Sequence, residues 1–216
     1  PPPGYSVRSE ADGIEGAAKS AGWRRFHLVG YSAGGIAALA YAERSAASLL
    51  SLTLIEPFFL GTDEWSNEEA LLMARAEQAA RLPDSEMMPE YLALNLQQGI
   101  ALPPPAQGPD PAWMAKRPDG IRALLKSSRA ARFDWESLGQ FNGPVYMAYG
   151  SDSNLAWKRM AERLSRLFRD IEVEEWDGLH HLNPPQRAEP YRFGERLLAL
   201  WAKGEKRYEQ SEAKLT

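Results

Sequence analysis

The segment Gly30-Tyr31-Ser32-Ala33-Gly34-Gly35 follows the apolar run Phe26-His27-Leu28-Val29 and opens into an Ala-rich stretch reaching Ala42. An apolar run, a glycine-rich turn and a helix-forming run in that order force the chain to reverse over very few residues. A serine at the apex of such a turn takes a strained backbone conformation, and residues two before and two after it must be nearly free of side chain. Gly30 and Gly34 occupy those positions. The spacing therefore predicts strand, sharp turn and helix, with Ser32 presented as a nucleophile. The competing reading is a purely structural glycine-rich turn.

The rest of the chain alternates in the manner this turn requires. Arg25 to Gly30, Leu49 to Ile55 and Pro144 to Gly150 read as buried strands, while Ile171 to Trp176 alternates as an edge strand does. Between them, apolar residues recur at helical spacing, as at Trp157, Met160, Ala161, Leu164, Leu167 and Phe168, and again at Phe193, Leu197, Leu200 and Trp201. Strands alternating with helices predict an α/β fold, a mostly parallel, doubly wound sheet covered on both faces.

The alternation stops between residues 58 and 141. Ser66 to Arg81 and Ser85 to Gln98 read as helices capped by Ser66 and Ser85, Leu102 to Pro111 is too proline-rich for regular structure, and a further helix runs from Asp119 to about Ala131. The expected organisation is core over 1–57, a helical insertion over 58–141, core again over 142–203, and a charged tail over 204–216 that frays. The insertion is expected over the C-terminal edge of the sheet, where ligands of open α/β sheets bind. Phe58, Phe59, Trp65, Met87, Met88, Trp113 and Met114 are candidate lining of an apolar pocket there; taken singly, each also fits as plain core.

Composition narrows the chemistry. A net charge of −4 with scattered Lys and Arg argues against nucleic acid as a partner. No apolar run has the length of a membrane-spanning helix. With no cysteine, disulfides, thiolate zinc sites and cysteine nucleophiles are excluded. The lack of cysteine and of a visible secretory signal is compatible with the cytoplasm.

A serine hydroxyl needs a base to take its proton and an acid to orient that base. The three histidines are His27, His180 and His181. His27 lies inside the nucleophile strand and is expected to pack or hydrogen-bond there. His180 and His181 follow the last strand, in a loop expected on the same edge as Ser32; His181 is taken as the base, with His180 facing elsewhere. Two histidines in a Pro-rich surface loop are the bland alternative. Two carboxylates satisfy the order serine, acid, histidine. Asp152 ends the third strand and ranks first; Glu56 ends the second and is the alternative. A turn or cap role for Asp152, and an ion pair beneath the insertion for Glu56, are the competing readings.

Four motifs together resemble the α/β-hydrolase superfamily in its capped, single-domain form. They are Pro2-Pro3-Gly4-Tyr5-Ser6-Val7-Arg8-Ser9 (with Ser6 where the family has glycine), Gly30 to Gly35, Pro144 to Asp152, and Gly178-Leu179-His180-His181 with Pro184. The resemblance implies an oxyanion-hole amide from Ala33 and a small acyl substrate, with no metal or organic cofactor. Some members carry the acid as Glu one strand earlier, which keeps Glu56 in contention. Family members begin with further strands, so a preceding segment that completes the sheet is expected. The implied function is hydrolysis of a small ester, thioester, lactone or related acyl compound. A C–C bond hydrolase using the same triad, or a non-catalytic ligand-binding or scaffold protein, is the alternative.

Overall fold

Four segments pair in parallel, in the spatial order of the chain: β1 (Phe26–Tyr31), β2 (Leu49–Ile55), β3 (Val145–Gly150) and β4 (Ile171–Trp176). The structure, a computed structural model, describes residues 1–58, 66–104 and 109–213. Nine helices are described: α1 (Val7–Ser20), α2 (Ala33–Ser45), α3 (Asn67–Ala79), α4 (Asp84–Ala93), α5 (Arg117–Ala130), α6 (Trp135–Gly139), α7 (Leu155–Leu167), α8 (Pro185–Ala188) and α9 (Pro190–Glu212).

The period-two alternation of the strands divides the core. Leu52, Leu54, Val145 and Met147 pack on one face with Ile36, Leu39, Trp157, Met160 and Leu164 of α2 and α7. Ile55, Tyr146 and Ala148 point to the other face, where Trp176, Phe193 and Leu200 close the layer under α9. Helices thus cover both faces of a parallel sheet, as the sequence pattern requires.

The strands lie within one residue of their predicted limits, with one difference in environment. β1 is half-buried rather than buried, and Val29 is 42% exposed, because among the described residues β1 pairs with β2 alone. β4, the expected edge, carries Glu174, which binds Arg192 and Arg196 of α9. Such charges suit an edge strand.

Residues 204–212 are helical rather than frayed. Gly204 packs so closely that a Cβ would stand 2.4 Å from the Leu50 carbonyl oxygen, and Arg207 pairs with Asp170 at 2.5 Å. These contacts extend α9 past the predicted boundary.

In the region between β2 and β3, Ser66 caps α3 in a reciprocal box with Glu69. α4 begins one residue earlier than expected, after Pro83, so Ser85 lies inside its first turn and caps nothing. α6, capped by Asp134, was not anticipated; five residues are too few to show a period. Glu69 and the buried Arg163 of α7 meet at 2.8 Å, tying this region to the core. The chain just past α4 reaches the C-terminal edge of the sheet, where the Gln97 amide donates to the Asp152 carbonyl at 2.8 Å and the Asn154 amide to that of Asn95 at 3.0 Å. Phe58 and Met87 are buried in the core, whereas Trp113 is 63% exposed; Phe59 and Trp65 lie outside the described residues. Among the described residues no helix is long and apolar enough to cross a membrane.

Candidate active site

β1 delivers its last residue, Tyr31, and the chain turns at Ser32 with φ 52° and ψ −120° before α2 starts at Ala33. That conformation is rare for a residue with a side chain, and the surroundings hold it. The Ser32 amide donates to the Ile55 carbonyl at 3.0 Å, and the Ser32 carbonyl accepts from the amides of Gly35 and Phe58 at 2.9 and 2.8 Å. The turn is tight because backbones meet backbones. A Cβ on Gly30 would stand 2.6 Å from the Gly34 carbonyl oxygen, and one on Gly35 would stand 2.6 Å from Pro57. Gly34 differs from expectation: a Cβ there meets nothing within 4 Å. The crowded positions are Gly30 and Gly35, since α2 packs down through Gly35 onto the chain leaving β2.

That chain supplies the carboxylate. Glu56 follows β2 with φ 43°, a second positive value at a residue bearing a side chain, and is 1% exposed. Its amide donates to the Ala148 carbonyl at 3.0 Å. One carboxylate oxygen accepts from the Gly150 amide at 2.8 Å and from the Ser153 hydroxyl; the other lies 2.6 Å from Nδ1 of His181. A buried carboxylate is sustained by such donors.

His181 arrives from the far side of the sheet. After β4 the chain turns at Gly178, crosses over the end of β3 and folds back at the His180–Asn183 bridge. The loop is pinned by the Ser151 amide on the Trp176 carbonyl at 2.9 Å, the Asp152 amide on the Leu179 carbonyl at 2.9 Å, and the Ser151 hydroxyl, which accepts from the Gly178 amide at 2.8 Å. Nε2 of His181 then lies 3.0 Å from Oγ of Ser32. Because a carboxylate only accepts, Nδ1 carries the proton and Nε2 presents its lone pair to the serine hydroxyl. The indole of Trp157 stacks on the imidazole with centroids 4.9 Å apart and planes 8° apart, and Tyr31 packs 5.1 Å away. The Tyr31 hydroxyl donates to the His181 carbonyl. Burial, and then the charge of Glu56, push the Tyr31 hydroxyl above the ordinary tyrosine range, against the lowering effect of Arg117 and Arg187. It remains a protonated donor.

The structure thus brings together Ser32, His181 and Glu56, with the Ala33 amide at the first position of α2 beside them. Asp152, ranked first from the sequence, is not the carboxylate bonded to the imidazole, since Nδ1 of His181 meets Glu56. The Asp152 backbone holds the histidine loop, and the Asp152 carboxylate meets the Ser151 hydroxyl at 3.2 Å. His180 accepts at Nδ1 from the Leu182 amide at 3.2 Å. His27 bonds Ser51 at 2.8 Å and stacks on Trp201. Sequence reasoning missed Ser153, which carries no motif, and read Trp157 only as part of the apolar stripe of α7. Among the described residues no group of three or more His, Asp and Glu side chains is placed to hold a metal ion.

A family model described as the alpha/beta hydrolase family matches residues 1–193. No curated protein sequence matches the chain. Among solved structures, a membrane phospholipase A, described as a bacterial virulence factor, superposes with a TM-score of 0.66 and 22% identity over 93% of this chain. The chain spans 64% of that protein's length. Carboxylesterase CesB from Bacillus subtilis matches with a TM-score of 0.56 and 18% identity, over 90% of this chain and 66% of its own. A meta-cleavage product hydrolase from Pseudomonas fluorescens IP01 matches with a TM-score of 0.61 and 16% identity, over 93% and 74% respectively. At these identities the likeness is one of fold.

Proposed function

The chain belongs to the alpha/beta hydrolase family, and we propose that within it the protein is a serine hydrolase of small acyl compounds, esters foremost. The observation that carries this reading is the continuous chain of hydrogen bonds from Ser32 Oγ through both nitrogens of His181 to Glu56. A carboxylesterase and a phospholipase A among its structural neighbours agree with acyl chemistry.

In this reading Ser32 Oγ attacks the substrate carbonyl while its proton passes to Nε2 of His181. The imidazolium so formed is stabilised by Glu56, which accepts from Nδ1 and keeps the ring in the productive tautomer. The Ala33 amide belongs to the first turn of α2, whose N–H groups lack intrahelical partners, and donates to the oxyanion. Collapse of the tetrahedral intermediate breaks the bond to the leaving group, which takes the proton from Nε2. Water repeats the sequence on the acyl-serine and regenerates Ser32. The acid is Glu56 rather than Asp152, because Glu56 already bonds Nδ1. The helices between β2 and β3 act as a cap that selects the substrate. A non-catalytic role leaves a buried Glu56–His181 pair, bonded on to Ser32, without a function.

Labelling with a fluorophosphonate, read by intact mass and peptide mapping, tests the reading. One stoichiometric adduct on Ser32, absent in Ser32→Ala and in His181→Ala, is expected. A folded protein that takes no adduct overturns it.

A further inference from the structure

The His181 imidazole is held at its two nitrogens by bonds of 2.6 Å to Glu56 and 3.0 Å to Ser32. The side chain's remaining freedom is rotation about the Cβ–Cγ bond, which tilts the ring and carries both nitrogens out of line with their partners. A tilt swings the Nε2 lone pair off the serine proton and weakens both bonds, since hydrogen bonds fall off steeply with angle. The two bonds resist that rotation, and groups lying against the ring faces resist it further.

We propose that Trp157 and Tyr31 are the positioning residues that set the plane of the His181 imidazole, an inference that rests on the serine-hydrolase reading above. Trp157 is fully buried in the first turn of α7, and its indole lies within 8° of parallel to the imidazole. A flat, immobile ring at 4.9 Å opposes tilting and, once the ring is protonated, presents the negative π-face that attracts a cation. Tyr31 acts on the same residue through two groups, its ring and its hydroxyl. Its ring packs against the imidazole, and its hydroxyl holds the His181 carbonyl, so the residue preceding Ser32 also fixes the backbone from which the histidine side chain departs.

The two supports enter by different routes. Tyr31 is part of the nucleophile turn itself. Trp157 belongs to a short segment that also serves the carboxylate: the Gly150 amide and the Ser153 hydroxyl hold one oxygen of Glu56, and Trp157, four residues beyond Ser153, holds the imidazole. The stretch from β3 into α7 therefore orients acid and base together without contributing a reacting atom.

The test compares Trp157→Leu, Trp157→Phe and Tyr31→Phe, with kcat normalised to the active sites titrated by fluorophosphonate. The low-field proton resonance of the His181 Nδ1–H is followed in parallel by NMR. Trp157→Leu is expected to lower kcat about 10–100-fold with KM within about threefold, and to broaden or lose that resonance. Trp157→Phe restores a flat face and recovers most of both. Tyr31→Phe, which removes only the hydroxyl, is expected to lower kcat about tenfold at unchanged KM. A folded Trp157→Leu protein with wild-type kcat and an undisturbed resonance overturns the proposal, as does Tyr31→Phe at full activity if Trp157→Leu does not fold. If the wild-type protein turns over no ester, the functional reading fails instead, and the resonance comparison still reports on the ring.

Discussion

Gly150 lies directly beneath the main chain of Leu179: a Cβ built on it would stand 2.1 Å from the Leu179 carbonyl oxygen and 2.7 Å from the His180 amide nitrogen. The last residue of β3 is bare so that the histidine loop can cross the sheet in contact with it. Gly150→Ala must lift that loop, because all the opposing atoms are backbone. We expect a loss of about 2–3 kcal/mol in stability and a fall of about 10²-fold in kcat as His181 withdraws from Ser32. Denaturant melts and steady-state kinetics on the same sample check both. A variant that loses stability yet keeps full kcat would show that the loop repositions His181 by another route.

The nucleophile turn makes a sharper comparison. Gly30→Ala and Gly35→Ala each drive a methyl into backbone atoms or Pro57 and are expected to cost about 2 kcal/mol or more. Gly34→Ala enters open space at the second position of α2 and is expected to change stability by about 0.5 kcal/mol or less. Equal costs at all three positions would contradict the packing described above.

Substitution of each carboxylate decides the acid. Glu56→Gln keeps the volume but removes the charge that stabilises the imidazolium, and kcat is expected to fall about 10³–10⁴-fold. Asp152→Asn leaves the backbone bonds to Leu179 and Gln97 in place and is expected to hold kcat within about threefold of wild type. Side-by-side kinetics with one ester substrate suffices.

His27 gives the fold a pH dependence of its own. Burial depresses its pKa below the ordinary histidine value, with the nearby Glu205 opposing in part. The folded state therefore binds the proton less readily than the unfolded chain. The stabilisation is fully present above the unfolded value and is lost as pH falls through the folded one. Melting temperatures of wild type and His27→Gln, compared from about pH 7.5 down to about pH 5, should show the wild type losing stability faster. Parallel curves would remove His27 from the acid sensitivity of the fold.

Arg163 ties α3 to α7 through the buried Glu69, with side chains 9% and 1% exposed. Arg163→Met strands that carboxylate and is expected to destabilise by about 3–5 kcal/mol. Adding Glu69→Gln removes the stranded charge and should recover part of the loss. A thermal melt of the single and double variants reads the recovery.

The sheet was legible because β2 and β3 are nearly continuous apolar runs, and because a glycine-flanked serine between strand and helix admits few geometries. The edge on which Ser32, Glu56, Asp152 and His181 emerge followed from the same alternation. Which carboxylate faces the imidazole did not, since both end parallel strands on that edge. The choice is made beyond the strands, where Glu56 takes a positive φ and Asp152 enters a turn closed by the Ser153 amide on the Gly150 carbonyl. Pattern carries no signal for that. Gly34 shows the same limit from the other side: spacing named it as crowded, but the contact falls on Gly35, because how deep a helix sits on a neighbouring loop is decided by tertiary packing. Trp157 read as core and is core; that its flat side lies against His181 depends on the rotation of α7.

Ser32 and Glu56 end neighbouring strands paired from Gly30 with Leu54 to Tyr31 with Ile55, only 24 residues apart along the chain. His181 stands 149 residues from the serine and 125 from the carboxylate. Closing the longer loop costs more chain entropy, by about 1–2 kcal/mol on logarithmic scaling. Two members of the constellation are thus set in register by the pairing of β1 with β2 alone, whereas the third depends on β4 and on the loop that crosses the sheet. The hydrogen-bonded chain from Ser32 to Glu56 is therefore a reporter on whether the C-terminal part of the chain has docked.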